Sequence, residues 1–178
     1  CYYIKNNTCL LDADFMDDEL CDWVENEQHL PDIAQNLRNI KAGGGVLSEF
    51  TGCLMSACGY CTKEEQKQIR NTLQEMEHKS AFECGKIKAD RFLENRKYSA
   101  ALATLDEYRD YNTGVCLMSL GYDQRAIEVL QGLPQNDNTY YLLAILYVRE
   151  KRIKEAVEAF EKACQLEPSK WYRGQLDP

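Results

Sequence analysis

Apolar residues recur every three or four positions along most of this chain, a spacing that puts them on one face of a helix. The pattern is clearest between Asp137 and Pro168. Tyr140, Leu143, Ala144 and Tyr147 mark one amphipathic helix there. Ile153, Ala156, Val157, Phe160 and Ala163 mark a second, which stops at Pro168. Small residues at Ala144 and Ala156 let two helices approach closely, and Phe160 fills the space between them. Two weaker versions of the pattern precede it. Ala89, Phe92, Tyr98, Ala101 and Leu105 carry one, and Gly114, Leu117, Gly121, Ala126 and Leu130 carry the other, with Gly121 at the turn between paired helices. The spacing predicts an all-α fold with helical hairpins over about 81–108, 109–136 and 137–168.

The N-terminal stretch is helical by a different layout. Residues 1–11, with a polar centre at Lys5 to Thr8, read as a tail or irregular lead-in. A helix is expected from Asp14, carrying Phe15, Glu19, Leu20, Trp23 and Val24, with acids in its first turn where the helix dipole favours them. Pro31 opens the next helix, whose stripe is Leu30, Ile33, Leu37 and Ile40, and Gly43 to Gly45 end it. A third helix with Val46, Leu47, Phe50, Leu54 and Ala57 is apolar enough to be wholly buried. The fourth begins at Thr62, where Thr62 and Glu65 form a capping box, and shows Ile69, Leu73 and Met76. The expected layout is a helical N-terminal bundle over 1–80, hairpins over 81–170, and a tail over 171–178 whose Trp171 covers the end of the last hairpin.

The positions of Tyr140, Leu143, Ala144, Tyr147, Ala156, Phe160, Ala163 and Pro168 resemble the tetratricopeptide repeat, a helical hairpin of about 34 residues. The resemblance covers the C-terminal half and implies a compact α-α superhelix. Ala101, Ala126 and Ala156 take equivalent places, 25 and 30 residues apart. That is shorter than the family period, so truncated second helices and tight connections are expected. In this family the first helix of each hairpin lines a concave, partner-binding face. The resemblance therefore places Tyr108, Tyr111, Val115, Met118, Tyr141, Ile145 and Val148 there. Tyr141 and Ile145 stand where some members carry the residues that clamp a peptide carboxylate, which argues against that mode. The implied face is apolar and aromatic, suited to an apolar or helical protein segment. The same side chains have a rival use, packing against the N-terminal helices of the chain itself. In general look the chain is also similar to Firmicutes proteins of tetratricopeptide type with a helical N-terminal region.

Charge narrows the partners. With 29 acidic against 21 basic residues the net charge is −8. Duplex nucleic acid needs a basic face and an anionic membrane surface attracts basic segments, so neither is expected. The acidic exterior favours basic protein partners. No apolar run approaches the ~18 residues of a membrane span. Nine cysteines, an odd number, with Cys84, Cys116 and Cys164 on apolar helix faces, fit buried thiols in a reducing bacterial cytoplasm better than a disulfide framework. Cys1 at the first position matches the start of a processed lipoprotein. However, Tyr2, Tyr3 and Ile4 follow it in place of a flexible polar tether, so a trimmed or disordered start is expected.

Candidate chemistry is sparse. Cys53, Cys58 and Cys61 could hold a metal, with Cys84 or His78 as a fourth ligand, or cycle as a dithiol. The surrounding helix-turn-helix pattern is not the strand-turn-helix of thioredoxin-like sites. Cys61 lies just before the Thr62 cap, where a helix N-terminus would lower its thiol pKa. His29 and His78 neighbour no nucleophile. The acids from Asp12 to Glu19 lack the central Gly of a calcium loop, and Gly43 to Gly45 follow a helix and lack the Lys of a phosphate loop. The expected function is non-catalytic protein–protein interaction without a cofactor, in which replacing Tyr111 and Tyr141 by alanine abolishes binding and spares the fold. A metal or redox protein built on Cys53, Cys58 and Cys61 is the second reading. Self-association of the last hairpin through Trp171 is the third.

Overall fold

The computed structural model describes residues 1–105 and 108–175. These residues form helices joined by turns, and no strand is present among them. The chain divides into two compact units, Cys1–Arg91 and Phe92–Pro178.

The first unit contains α1 (Tyr2–Asn6), two single 3₁₀ turns (Thr8–Leu10 and Ala13–Phe15), α2 (Asp18–Asn26), α3 (Pro31–Ala42), α4 (Leu47–Cys58), α5 (Lys63–Glu77) and most of α6 (Ala81–Glu94). Its helix ends arise from local chemistry. The Asp17 carboxylate accepts the Glu19 N–H at the start of α2, and Pro31 stands in the first turn of α3. Gly43 closes α3, and Gly44 turns the chain with φ of 71°. Thr62 and Glu65 form the capping box of α5: the Thr62 hydroxyl accepts the Glu65 N–H while the Glu65 carboxylate accepts the Thr62 N–H.

Two small cores hold this unit. Phe50 of α4 is enclosed by Cys21, Val24, Ala34 and Leu37 from α2 and α3. Met55, Ile69 and Leu73 of α4 and α5 enclose the second, together with Ile4 and Leu11. Residues 1–11 are therefore not a loose lead-in: Ile4 and Leu11 are buried, and Lys5 pairs with Glu65 at 2.5 Å. Apolar contact gives the short α1 the stability that five residues lack alone. Two further expectations need correction. Trp23 lies half-exposed on α2, and α4 is buried on one side only, with Val46 before it exposed.

The second unit continues with α7 (Tyr98–Leu105), α8 (Tyr111–Ser119), α9 (Asp123–Gln131), α10 (Asp137–Arg149), α11 (Ile153–Leu166) and α12 (Lys170–Gly174). One turn recurs three times. Arg96, Gly121 and Lys151 each adopt positive φ, at 54°, 81° and 60°. The N–H of the next residue then reaches back to the carbonyl of Phe92, Leu117 and Tyr147 respectively, at 2.8, 2.9 and 2.8 Å. In each case the alanine five residues after the turn, Ala101, Ala126 or Ala156, is buried. The spacing of 25 and 30 residues is thus a real structural register. The short period goes with short helices in both places of the hairpin: α8 and α9 have 9 residues each, against 13 in α10 and 14 in α11.

Side-chain caps set the first helices. Asp110 accepts the Thr113 N–H at the start of α8, and Asn136 accepts the Thr139 N–H at the start of α10. The helix that follows the α8–α9 hairpin covers it: α10 packs on both α8 and α9 as well as on α11. The resulting core joins Leu117, Ala126, Ile127 and Leu130 to Leu142, Leu143 and Leu146. Gly114 is required where α8 meets α9, since a Cβ there would stand 2.7 Å from a methyl of Leu130.

Candidate interaction groove

A concavity of about 690 Å³ lies in the second unit, between the outer faces of α10 and α11. Its floor is set by helix register. Ala144 of α10 and Ala156 of α11 both line it from the core, and their small side chains leave the groove deep. Ile145 and Val148 of α10 form one wall, and Ile153, Val157 and Phe160 of α11 form the other. Val148, Ile153 and Val157 are 55%, 59% and 51% exposed. Helical spacing puts Ile153 and Val157 on the packed stripe of α11, but the structure leaves them open. Their neighbours Ala156 and Ala159 join the core shared with α10 instead, and Ala163 is buried as well.

The lower end of the groove is closed by α12. Lys170 is buried there, donates to Asn138 Oδ1 at 2.6 Å and pairs with Asp137 at 3.1 Å. Trp171 lies against Phe160 with ring centroids 6.0 Å apart while remaining half-exposed. Gly174 sits so close to Phe160 that a Cβ would fall 2.6 Å from its ring. The Arg173 guanidinium lies over the Tyr141 ring, 5.3 Å from its centre.

Of the seven residues assigned to the partner-binding face, Tyr111, Met118, Tyr141, Ile145 and Val148 line this groove. Tyr108 and Val115 do not; Val115 packs on the core of the unit, and Tyr108 follows α7 in a turn. Tyr141 is only 4% exposed and lies 6.1 Å from Phe160, so Tyr141→Ala would remove core packing together with groove surface. Burial also pushes the Tyr111 phenol above its ordinary pKa, so it stays a neutral hydroxyl. Sequence reasoning missed Arg149, Arg173 and Asn138 as groove residues. Asn138 and Arg149 fall within the recognised hairpin, whereas Arg173 lies beyond its last motif position and had no signal.

The cysteine cluster comes out differently. Among the described residues no three His, Cys, Asp or Glu side chains are grouped to hold a metal ion. Cys61 is buried, Cys53 half-buried and Cys58 exposed, all as free thiols. The sulfur beside Cys58 is that of Cys1, 2.8 Å away. Burial raises the Cys61 pKa, with the Glu65 carboxylate adding to it, so the expected lowering by the adjoining helix is overridden. Cys53 is raised by burial too. His29 takes positive φ in the turn between α2 and α3, and His78 caps α5.

Paired helices with a repeated turn and a stacked core define a helical-repeat architecture. Residues 138–170, which build α10, α11 and the start of α12, match the family model of the tetratricopeptide repeat. The C-terminal hairpin is therefore a tetratricopeptide repeat, and such repeats are typically non-catalytic protein-interaction modules. No curated protein and no solved structure matches the chain. Among the described residues no helix is long and apolar enough to cross a membrane.

Proposed function

We propose that this chain is a non-catalytic protein-interaction scaffold that buries an apolar or helical segment of a protein partner in the groove between α10 and α11. The observation that carries the reading is the run of exposed aliphatic side chains, Val148, Ile153 and Val157, facing one another across a groove of about 690 Å³. Contiguous exposed apolar surface of this kind marks interaction sites in folded proteins. Aromatic side chains at its lower end, Tyr141 and Phe160, offer the rigid contact area found in binding hot spots.

The test uses exposed residues, so that binding is separated from folding. Purified chain is screened against an array of apolar peptides in parallel with a Val148→Glu/Val157→Glu variant. The expected result is a set of peptides bound by the native chain and lost by the variant, with unchanged thermal melting. Equal binding by both proteins, or binding by neither, would sink the reading.

A further inference from the structure

The α8–α9 hairpin and the α10–α11 hairpin share their register, thirty residues apart. On the first, Ile127 and Leu130 of α9 are 1% and 0% exposed because α10 lies over them. Their equivalents on the second are Val157 and Phe160. Val157 is 51% exposed, because the next helix, α12, has five residues and reaches only the Phe160 end. The open groove is thus the seat of one further helix. The chain itself shows what fills such a seat: α10, a helix with Leu142, Leu143 and Leu146 turned into the core.

Charge selects among the helices that fit. The charged side chains lining the seat are Arg149 and Arg173, and no Asp or Glu is among the described lining residues, in a chain of net charge −8. Arg149 is held by Asp123 at 2.9 Å. Arg173 makes no ion pair among the described residues, and its guanidinium, stacked on Tyr141, borders the apolar floor. Stacking on a ring leaves the planar N–H edge open to a carboxylate. A second copy of the chain placed symmetrically on this seat would bring the same two arginines toward their own copies, which electrostatics disfavours.

Resting on the interaction reading above, we infer that the seat between α10 and α11 takes an amphipathic helix from another protein, with an apolar stripe against Val148, Ile153 and Val157 and a carboxylate side chain on Arg173. The partner is acidic along that edge, the opposite of the basic partner that the overall net charge suggested. Local charge decides because a lining cation acts at contact distance, while the remote acids are screened over about 8–10 Å of salt solution.

The experiment uses two labelled helix-forming peptides of about 15 residues. Both carry Leu at i, i+3, i+4 and i+7; one has Glu and the other Lys at every flanking position. Fluorescence anisotropy is read with the full chain, Arg173→Glu and Val148→Glu/Val157→Glu, alongside sedimentation of the chain alone. The expected result is binding of the Glu peptide about tenfold tighter than the Lys peptide, a preference lost or reversed in Arg173→Glu. Both peptides are expected to lose binding in Val148→Glu/Val157→Glu. Because Arg173 is exposed, an unchanged circular-dichroism melt is expected for its variant. Equal affinity for the two peptides, or a preference unmoved by Arg173→Glu, overturns the acidic-helix inference while leaving the groove reading standing. Absence of binding by either peptide overturns both. A dimer that Val157→Glu dissolves gives the seat to a second copy and overturns the inference as well.

Discussion

The α8–α9 and α10–α11 hairpins make a controlled comparison within one molecule. They share the positive-φ turn, at Gly121 and Lys151, the buried alanine five residues later, and the close helix approach at Gly114 and Ala144. They differ in the helix that comes next along the chain. A 13-residue helix, α10, covers the first hairpin, whereas the five-residue α12 covers one end of the second. Equivalent apolar side chains therefore become core in one place and surface in the other. A repeat motif specifies which side chains point at the next helix, and the next helix decides whether they stabilise the fold or remain free to bind.

The largest contrast is expected in stability. Leu130→Ala should cost about 2–5 kcal/mol, since it empties a fully covered site, whereas Val157→Ala should stay within about 0.5 kcal/mol, as for ordinary surface changes. Urea denaturation monitored by Trp171 fluorescence in a Trp23→Phe background reads both; similar costs would mean that the α11 face is covered and the comparison fails. Gly114→Ala should cost about 1–3 kcal/mol by overpacking against Leu130. Combined with Leu130→Ala it should cost less than the sum, because the new methyl enters the vacated space. Strict additivity in that cycle would show that the two sites do not touch.

The turns should respond with opposite signs. Gly121→Ala forces a Cβ into the left-handed region and should cost about 1–2 kcal/mol. Lys151→Gly relieves the same strain, less the extra chain entropy of glycine, for a net gain of about 0.5–1 kcal/mol. A loss of stability in Lys151→Gly would show that the Lys side chain contributes there beyond the backbone.

A contrast that only pH reveals concerns Cys116, which is fully buried on α8 in the covered hairpin and has its thiol pKa pushed up from 9.0 to about 11, by burial first and by Asp110 second. The folded state keeps that proton where the unfolded chain releases it. Stability from this thiol is therefore complete below pH 9.0 and falls as pH rises toward 11. Cys116→Ala should flatten the decline over that interval, as measured by denaturation at a series of pH values; an unchanged slope would contradict the assignment.

Much of this was legible from residue spacing. The all-helical class, the turn at Gly121, the capping box at Thr62 and the register of Ala101, Ala126 and Ala156 all depend on residues within a few positions of one another. Of the seven residues that the tetratricopeptide resemblance, not spacing alone, assigned to a binding face, five line the groove. Other features were hidden because they depend on distant neighbours. Ile4 and Leu11 look like part of a polar lead-in until α4 and α5 bury them. Trp23 falls on a helical stripe, yet its side of α2 is left half-exposed. Cys61 precedes a helix N-terminus that favours a thiolate, yet the surrounding side chains desolvate it.

Local sequence dictates the helices, their turns and the faces they present, because hydrogen bonding within a helix, capping and backbone sterics act over a few residues. Which of those faces is covered was settled by packing between elements distant along the chain. Ile127 and Val157 occupy the same register and carry similar aliphatic chemistry. One is core because α10 removes it from water, and the other lines a groove because α12 ends before reaching it. Burial is a property of the neighbour that arrives, and the apolar gain of about 25 cal/mol per Å² is realised only where one does.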